Sequence, residues 1–314
     1  MNRGSRSDLN RLQNRAVLAI LSCSACWGVA SVFTKGMLAE LPALELLIVQ
    51  LFASASFLWL AAAVTGQIPS FNRRTLRLSA PGILDPGLSY ILNMFGLSMT
   101  TASKAALITS LQPLLILVLA YLFLGECLSS PVLMVGALCV VGEVLIMAGG
   151  SAALGLADGS LIGDGLVFSS VVCAALYCLC TREMCSKFGP LVVAALHQSA
   201  GLCLICAYFI FTLLSGAGSQ LHPMSMQQVI GAALCGVVQY AFSLWLYLYA
   251  ITILPLGVAA VFLVSIPIFT VGAAGALLGE RLLPLQMVGA LIILASMGGL
   301  GLQDFTEPPE MNDA

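Results

Sequence analysis

Charge is what this chain has least of. Its 314 residues include 12 lysines and arginines, 14 aspartates and glutamates and 2 histidines, so that only 8% are charged. Soluble domains carry about 25% charged residues, and a surface this poor in charge excludes a cytosolic enzyme and a disordered chain. The net charge of −2 gives nothing to steer the protein toward DNA or RNA, so no nucleic-acid partner is expected. Catalytic signatures are missing too. There is no H-E-x-x-H, no G-x-S-x-G, no P-loop and no pair of aspartates suited to a prenyl diphosphate. An intramembrane enzyme is therefore poorly supported, and neither enzyme activity nor a cofactor is expected. The strict alternation of apolar and polar residues that marks outer-membrane strands is also absent.

What remains is apolar: 60% of the residues, with 30 glycines and a mean hydropathy of +1.04. This is the composition of a polytopic helical membrane protein, whose partner surface is the lipid bilayer. A spanning helix takes about 20 residues. Ten apolar runs fit, at roughly 16–36, 43–64, 79–98, 103–124, 131–149, 162–182, 190–214, 227–250, 256–278 and 285–303. The 11 cysteines lie almost entirely inside these runs. Cys23/Cys26 and Cys203/Cys206 have C-x-x-C spacing, but no histidine or carboxylate neighbours either pair. Buried thiols of this kind act as small hydrophobes, so no metal site is expected.

Lysine and arginine set the orientation. With the N-terminus inside, the cytoplasmic segments hold Arg3, Arg6, Arg11, Arg15, Arg73, Arg74, Arg77, Arg182 and Lys187, and the outer segments Lys35, Lys104 and Arg281. Residues 1–15 form a basic cytoplasmic segment ahead of an uncleaved first span. An even number of spans returns residues 304–314, with Asp304, Glu307, Glu310 and Asp313, to the cytoplasm as an acidic tail. The expected membrane is the plasma membrane, the inner membrane in a bacterium.

An internal repeat organises the rest. Pro113 and Glu126 are thirteen residues apart, as are Pro267 and Glu280. A shift of 154 residues superimposes Ala105-Ala106 on Ala259-Ala260 and Leu124-Gly125-Glu126 on Leu278-Gly279-Glu280. Met134-Val135-Gly136-Ala137-Leu138 recurs as Met287-Val288-Gly289-Ala290-Leu291, one residue out of step. Pro42 precedes Gln50 by eight residues, as Pro190 precedes Gln198. Five spans per half force the second half to enter the membrane with opposite orientation. The expected units are 16–149 and 162–303, joined by the linker 150–161, whose sequence is rich in glycine. Inverted repeats of this kind place substrate near the midplane, at their interface.

Two five-span halves, each with a mid-helix proline and a closing L-G-E, resemble the EamA-type branch of the drug/metabolite transporter superfamily. Trp27-Gly28 followed by Lys35 is similar to that family's first helix. In helix 2 the family often carries an arginine, where Gln50 and Gln198 stand here. The resemblance implies a secondary carrier that moves a small organic metabolite or drug-like solute by alternating access, with export the expected direction. A proton-independent facilitator of the same fold is the alternative. The resemblance also puts helices 1, 3, 4, 6, 8 and 9 around the cavity, which favours Trp27, Tyr90, Asn93, Tyr177 and Tyr240 as lining residues.

Pro113 and Pro267 lack an N–H, so the carbonyls of Thr109 and Leu263 lose their helical partners. In lipid such groups need another helix, water or a cavity. One central cavity is expected, with Thr109, Gln112 and Pro113 facing Leu263 and Pro267 across it. Asp85, beside Pro86, is matched by Gln239 under the shift. It is a candidate for proton coupling, or else a helix-start residue bonded to Arg73, Arg74 or Arg77. Helix 5 is peripheral by resemblance, which sets Glu143 away from substrate, at a helix interface or that of a homodimer. Glu126 and Glu280 are expected to set helix ends or gates. His197, with only Gln198 beside it, is expected to be a satisfied buried residue.

Overall fold

The computed structural model describes residues 3–70, 72–100, 108–109, 111–126, 130–150, 161–215, 222–278 and 283–300. Residues 151–160 of the expected linker 150–161, the tail 304–314, Lys104, Ala105-Ala106, Glu280 and Arg281 lie outside the described residues.

The elements are helices, in the order α1 (Arg3–Leu38), α2 (Ala43–Val64), a short α3 (Arg73–Ser79), a π-helical turn (Ile83–Leu88) leading into α4 (Ser89–Met99), α5 (Gln112–Leu124) and α6 (Ser130–Gly150). A second group follows: α7 (Leu161–Phe188), α8 (Pro190–Leu214), α9 (Met226–Ile251, wound as a π-turn over Val237–Phe242), α10 (Leu256–Leu263), α11 (Ile266–Leu278) and α12 (Pro284–Leu300). Local chemistry sets many boundaries. Pro190 opens α8 at a position that needs no N–H. Ser225 and Gln228 cap α9 reciprocally. Asn72 accepts the free N–H groups of Arg74 and Thr75 at the start of α3.

Among the described residues six helices are long and apolar enough to cross a membrane, and three shorter apolar helices accompany them, Gln112–Leu124, Val132–Ile146 and Pro284–Met297. Three differences from the sequence reading stand out. Residues 3–15 of the basic segment continue the first span, so that α1 runs unbroken for 36 residues. The run 79–98 is not one regular helix but a π-turn followed by α4. The run 256–278 is split in two between Leu263 and Ile266.

The strongest contacts join the first group of helices to the second: α6 with α12, α4 with α7, α2 with α8, α1 with α9 and α11, and α5 with α7 and α10. Two further approaches, of the first π-turn to α8 and of α9 to α2, depend on glycines. A methyl group on Gly82 would sit 2.3 Å from the carbonyl oxygen of His197 in α8, and one on Gly236 would sit 2.3 Å from that of Gln50 in α2. The core is densest along α10, all of whose residues are buried. Outward faces carry exposed Phe52, Leu60, Leu122 and Phe211, as expected of surfaces that meet lipid.

Candidate functional site

The site begins where helices fail. Pro267 stands second in α11 and cannot donate to the Leu263 carbonyl. The chain bridges the gap with a tight turn in which the N–H of Val264 and of Ser265 bond to the carbonyls of Val261 and Phe262, at 3.2 and 3.1 Å. Pro113 is likewise second in α5, and the turn before it closes by an N–H of Leu111 on the Ile108 carbonyl, 3.1 Å.

The two π-turns supply the next layer. Asp85 precedes Pro86 and is pushed out of helical geometry, with φ −145° and ψ 123°. Its carboxylate accepts a short hydrogen bond from the Ser89 hydroxyl. In the second turn Gln239 is bound into a chain: the amide of Gln50 donates to the Thr34 hydroxyl at 3.0 Å, and that hydroxyl donates to Oε1 of Gln239 at 2.7 Å. Polar groups that would be orphaned in a bilayer are thus joined across three helices.

These breaks surround one cavity of about 610 Å³. Trp27, Tyr90, Asn93, Thr109, Gln112, Pro113, Tyr177, Gln239, Tyr240 and Pro267 all line it, as do Asp85 and Leu263. Five aromatic residues stand in its wall: Tyr90 against Tyr240 at 5.7 Å between ring centres, Trp27 against Tyr247 at 6.2 Å, and Tyr177. The surface alternative for Asp85 does not hold, because its partner is Ser89 and it faces the cavity.

Glu143 requires a correction. It lines the cavity, where a position away from substrate was expected. Neighbouring Gly142 lies against the backbone of Gly289 in α12. That approach turns the next residue of α6 toward the interior, and Oε2 of Glu143 is buried with no hydrogen-bond partner.

Thr34, Ser89 and Tyr247 were missed as lining residues. Their signal in sequence is weak, since serine, threonine and tyrosine recur in any membrane helix. His197 stays out of the cavity and is satisfied on both nitrogens. Nε2 lies 2.9 Å from the Leu78 carbonyl and must donate, which leaves Nδ1 to accept from the Tyr177 hydroxyl at 3.0 Å. Gln198 donates to the Tyr240 carbonyl at 3.0 Å. It holds the cavity wall from behind.

The cavity extends toward Leu38 and Ala43, where α1 meets α2. The opposite end is fastened by Glu126. Its two carboxylate oxygens accept the N–H groups of Leu256 and Gly257 at 3.0 and 3.1 Å, and it pairs closely with Arg182 of α7. One side chain after α5 therefore caps α10 and holds α7. A carboxylate suits that place, because the first N–H groups of a helix are unpaired and its dipole is positive there.

Comparison with known proteins adds to this geometry. The model of the EamA-like transporter family matches residues 14–148 and 161–302. The chain is 24% identical over 297 residues to a protein of Bacillus subtilis (strain 168) described as the uncharacterized transporter YetK, covering 93% of this chain and 87% of that one. A solved crystal structure of 16% sequence identity superposes with a TM-score of 0.71, over 90% of this chain and 95% of that chain. At that identity the likeness concerns the fold alone.

Proposed function

The chain belongs to the EamA-like transporter family, and from that premise we propose that it is a secondary transporter which exports a small organic solute by alternating access through the central cavity. The observation that carries this reading is the cavity itself, walled by interrupted helices of both groups. Broken helices that meet inside a membrane offer backbone and polar groups to a solute without exposing them to lipid.

The proposed layout has ten spans in two inverted units, 16–149 and 162–303, with the linker 150–161 between them. Two observations support it. The packing is reciprocal: α2 and α6 each touch the matching helix of the second group, and α1 meets α9 as α4 meets α7. The π-turns are also related by the repeat, since Ile83–Leu88 moves onto Val237–Phe242 under the 154-residue shift. The distribution of lysine and arginine supports cytoplasmic termini and a plasma-membrane location.

In that orientation the Leu38 end of the cavity faces outward and the Glu126 fastening closes the cytoplasmic end. Trp27, Tyr90, Asn93, Thr109, Gln112, Tyr177, Gln239 and Tyr240 meet the solute, Pro113 and Pro267 shape its path, and Asp85 couples its movement to protons.

Access from both sides tests this reading. In a background without reactive native cysteines, Thr109→Cys and Leu263→Cys should react with a membrane-impermeant thiol reagent in right-side-out vesicles. They should also react in inside-out vesicles. Reaction from one side only, in protein that still transports, contradicts alternating access. No reaction from either side puts the solute path elsewhere.

A further inference from the structure

The chemistry of the cavity wall is one-sided. Asp85 and Glu143 both line it, and among the described residues no lysine, arginine or histidine does. Asp85 has a neutral partner, the Ser89 hydroxyl. Oε2 of Glu143 is buried and has none. A buried carboxylate without a positive partner is costly, because hydroxyls alone replace little of its hydration. When ionised, both carboxylates therefore call for a positive charge that the described protein does not supply, and a proton or a bound cation can provide it.

The aromatic residues point the same way. Trp27, Tyr90, Tyr177, Tyr240 and Tyr247 line this one cavity. The faces of such rings are negative, and a cation within about 6 Å of a ring centre is attracted to them, more strongly when water is excluded. An anionic solute would meet two carboxylates and the negative faces of these rings.

We infer that the cavity binds an organic cation, an ammonium group carried on an apolar or aromatic body, with Asp85 and Glu143 as its counter-charges. This rests on the transporter reading for the movement of the cation, but not for its binding. The ammonium would pair with one or both carboxylates while the rings and Leu46, Leu244 and Ile116 enclose the body. No Arg clamp is present among the described lining residues to hold a carboxylate or phosphate in the bidentate way.

Three probes with one skeleton separate charge from shape: 3-phenylpropylamine, 3-phenylpropanamide and 3-phenylpropanoate. Their binding to the purified full-length protein can be followed by calorimetry, with intrinsic tryptophan fluorescence as a second readout. The amine should bind at least tenfold more tightly than the amide, and the carboxylate most weakly. Glu143→Gln and Asp85→Asn should each weaken the amine at least tenfold and leave the amide unchanged. The ranking on the unaltered protein needs no variant to fold. Equal affinities, a preference for 3-phenylpropanoate, or no binding of any probe overturns the inference. Flux in liposomes separates the two readings. Tight amine binding without movement refutes transport and leaves the cation site standing, whereas flux without charge preference does the reverse.

Discussion

The π-turns Ile83–Leu88 and Val237–Phe242 share a closing hydrogen bond but differ in backbone, since only the first holds an extended residue, Asp85, and in chemistry. In both, the N–H that follows the turn reaches back five residues, from Ser89 to Leu84 and from Ser243 to Val238. Both are preceded by a glycine pressed against the backbone of a helix in the other group. In the first turn, however, Ser89 bonds the side chain of Asp85. In the second, Ser243 bonds the main-chain carbonyls of Val238, at 3.1 Å, and of Gln239. The amide of Gln239 is then left to the chain through Thr34 and Gln50. The scaffold is duplicated and the charge is not. A π-turn releases a carbonyl and redirects a side chain, and each half of the molecule uses that opportunity differently.

The largest effect should come from erasing the difference. Asp85→Asn makes the two turns chemically alike. We expect accumulation driven by a pH gradient in inside-out vesicles to fall at least tenfold, while passive exchange persists. Unchanged gradient-driven accumulation would assign Asp85 to structure and favour the proton-independent facilitator.

The shared construction is tested next. Gly82→Ala and Gly236→Ala place a methyl group against backbone that cannot swing aside, and such overpacking costs about 1–3 kcal/mol. Both variants should melt at lower temperature by similar amounts. Gly36→Ala, with open space around it, should not. A large loss at Gly82 with none at Gly236 would break the structural equivalence.

A smaller effect is expected at the fastened end. Glu126→Gln keeps the shape but weakens the cap on α10 and the pair with Arg182, a loss of about 0.5–2 kcal/mol by analogy with helix caps. Cysteine labelling at Leu263 in inside-out vesicles should accelerate as the cytoplasmic end opens. The smallest change belongs to Thr34→Val, which removes the hydroxyl between Gln50 and Gln239 and should cost about 1 kcal/mol. It should leave Asp85-dependent coupling intact.

Much of this site was legible in the chain because the repeat marks positions twice. The spacing of Pro113 and Pro267 pointed to the interrupted helices, and the match of Asp85 with Gln239 pointed to paired polar positions but not to the turns that carry them. Glu143 was not legible in this way. Its inward direction depends on Gly142 meeting Gly289 across the bundle, a contact that neither residue announces. Glu126 was readable as a helix end, but its hold on Leu256 and Gly257 joins residues 130 and 131 positions apart. Tyr247 and Thr34 are single residues in helices full of similar ones. Patterns within a helix are visible in sequence. Meetings between helices are visible only when a repeat or a charge marks both partners.

The unbroken length of α1 has a consequence of another kind. Its 36 residues span about 54 Å, against a hydrocarbon layer about 30 Å thick. A tilt of about 20° absorbs little of that excess, so the first turns stand among or beyond the lipid headgroups. Arg11 and Arg15 are exposed there, where each basic side chain near an anionic leaflet is worth about 1 kcal/mol. α1 also lines the cavity through Trp27, Ser31 and Thr34. The same rigid rod therefore touches the headgroup layer at one end and the solute path along its length. Bilayer thickness and lipid charge become variables of the protein's own energetics.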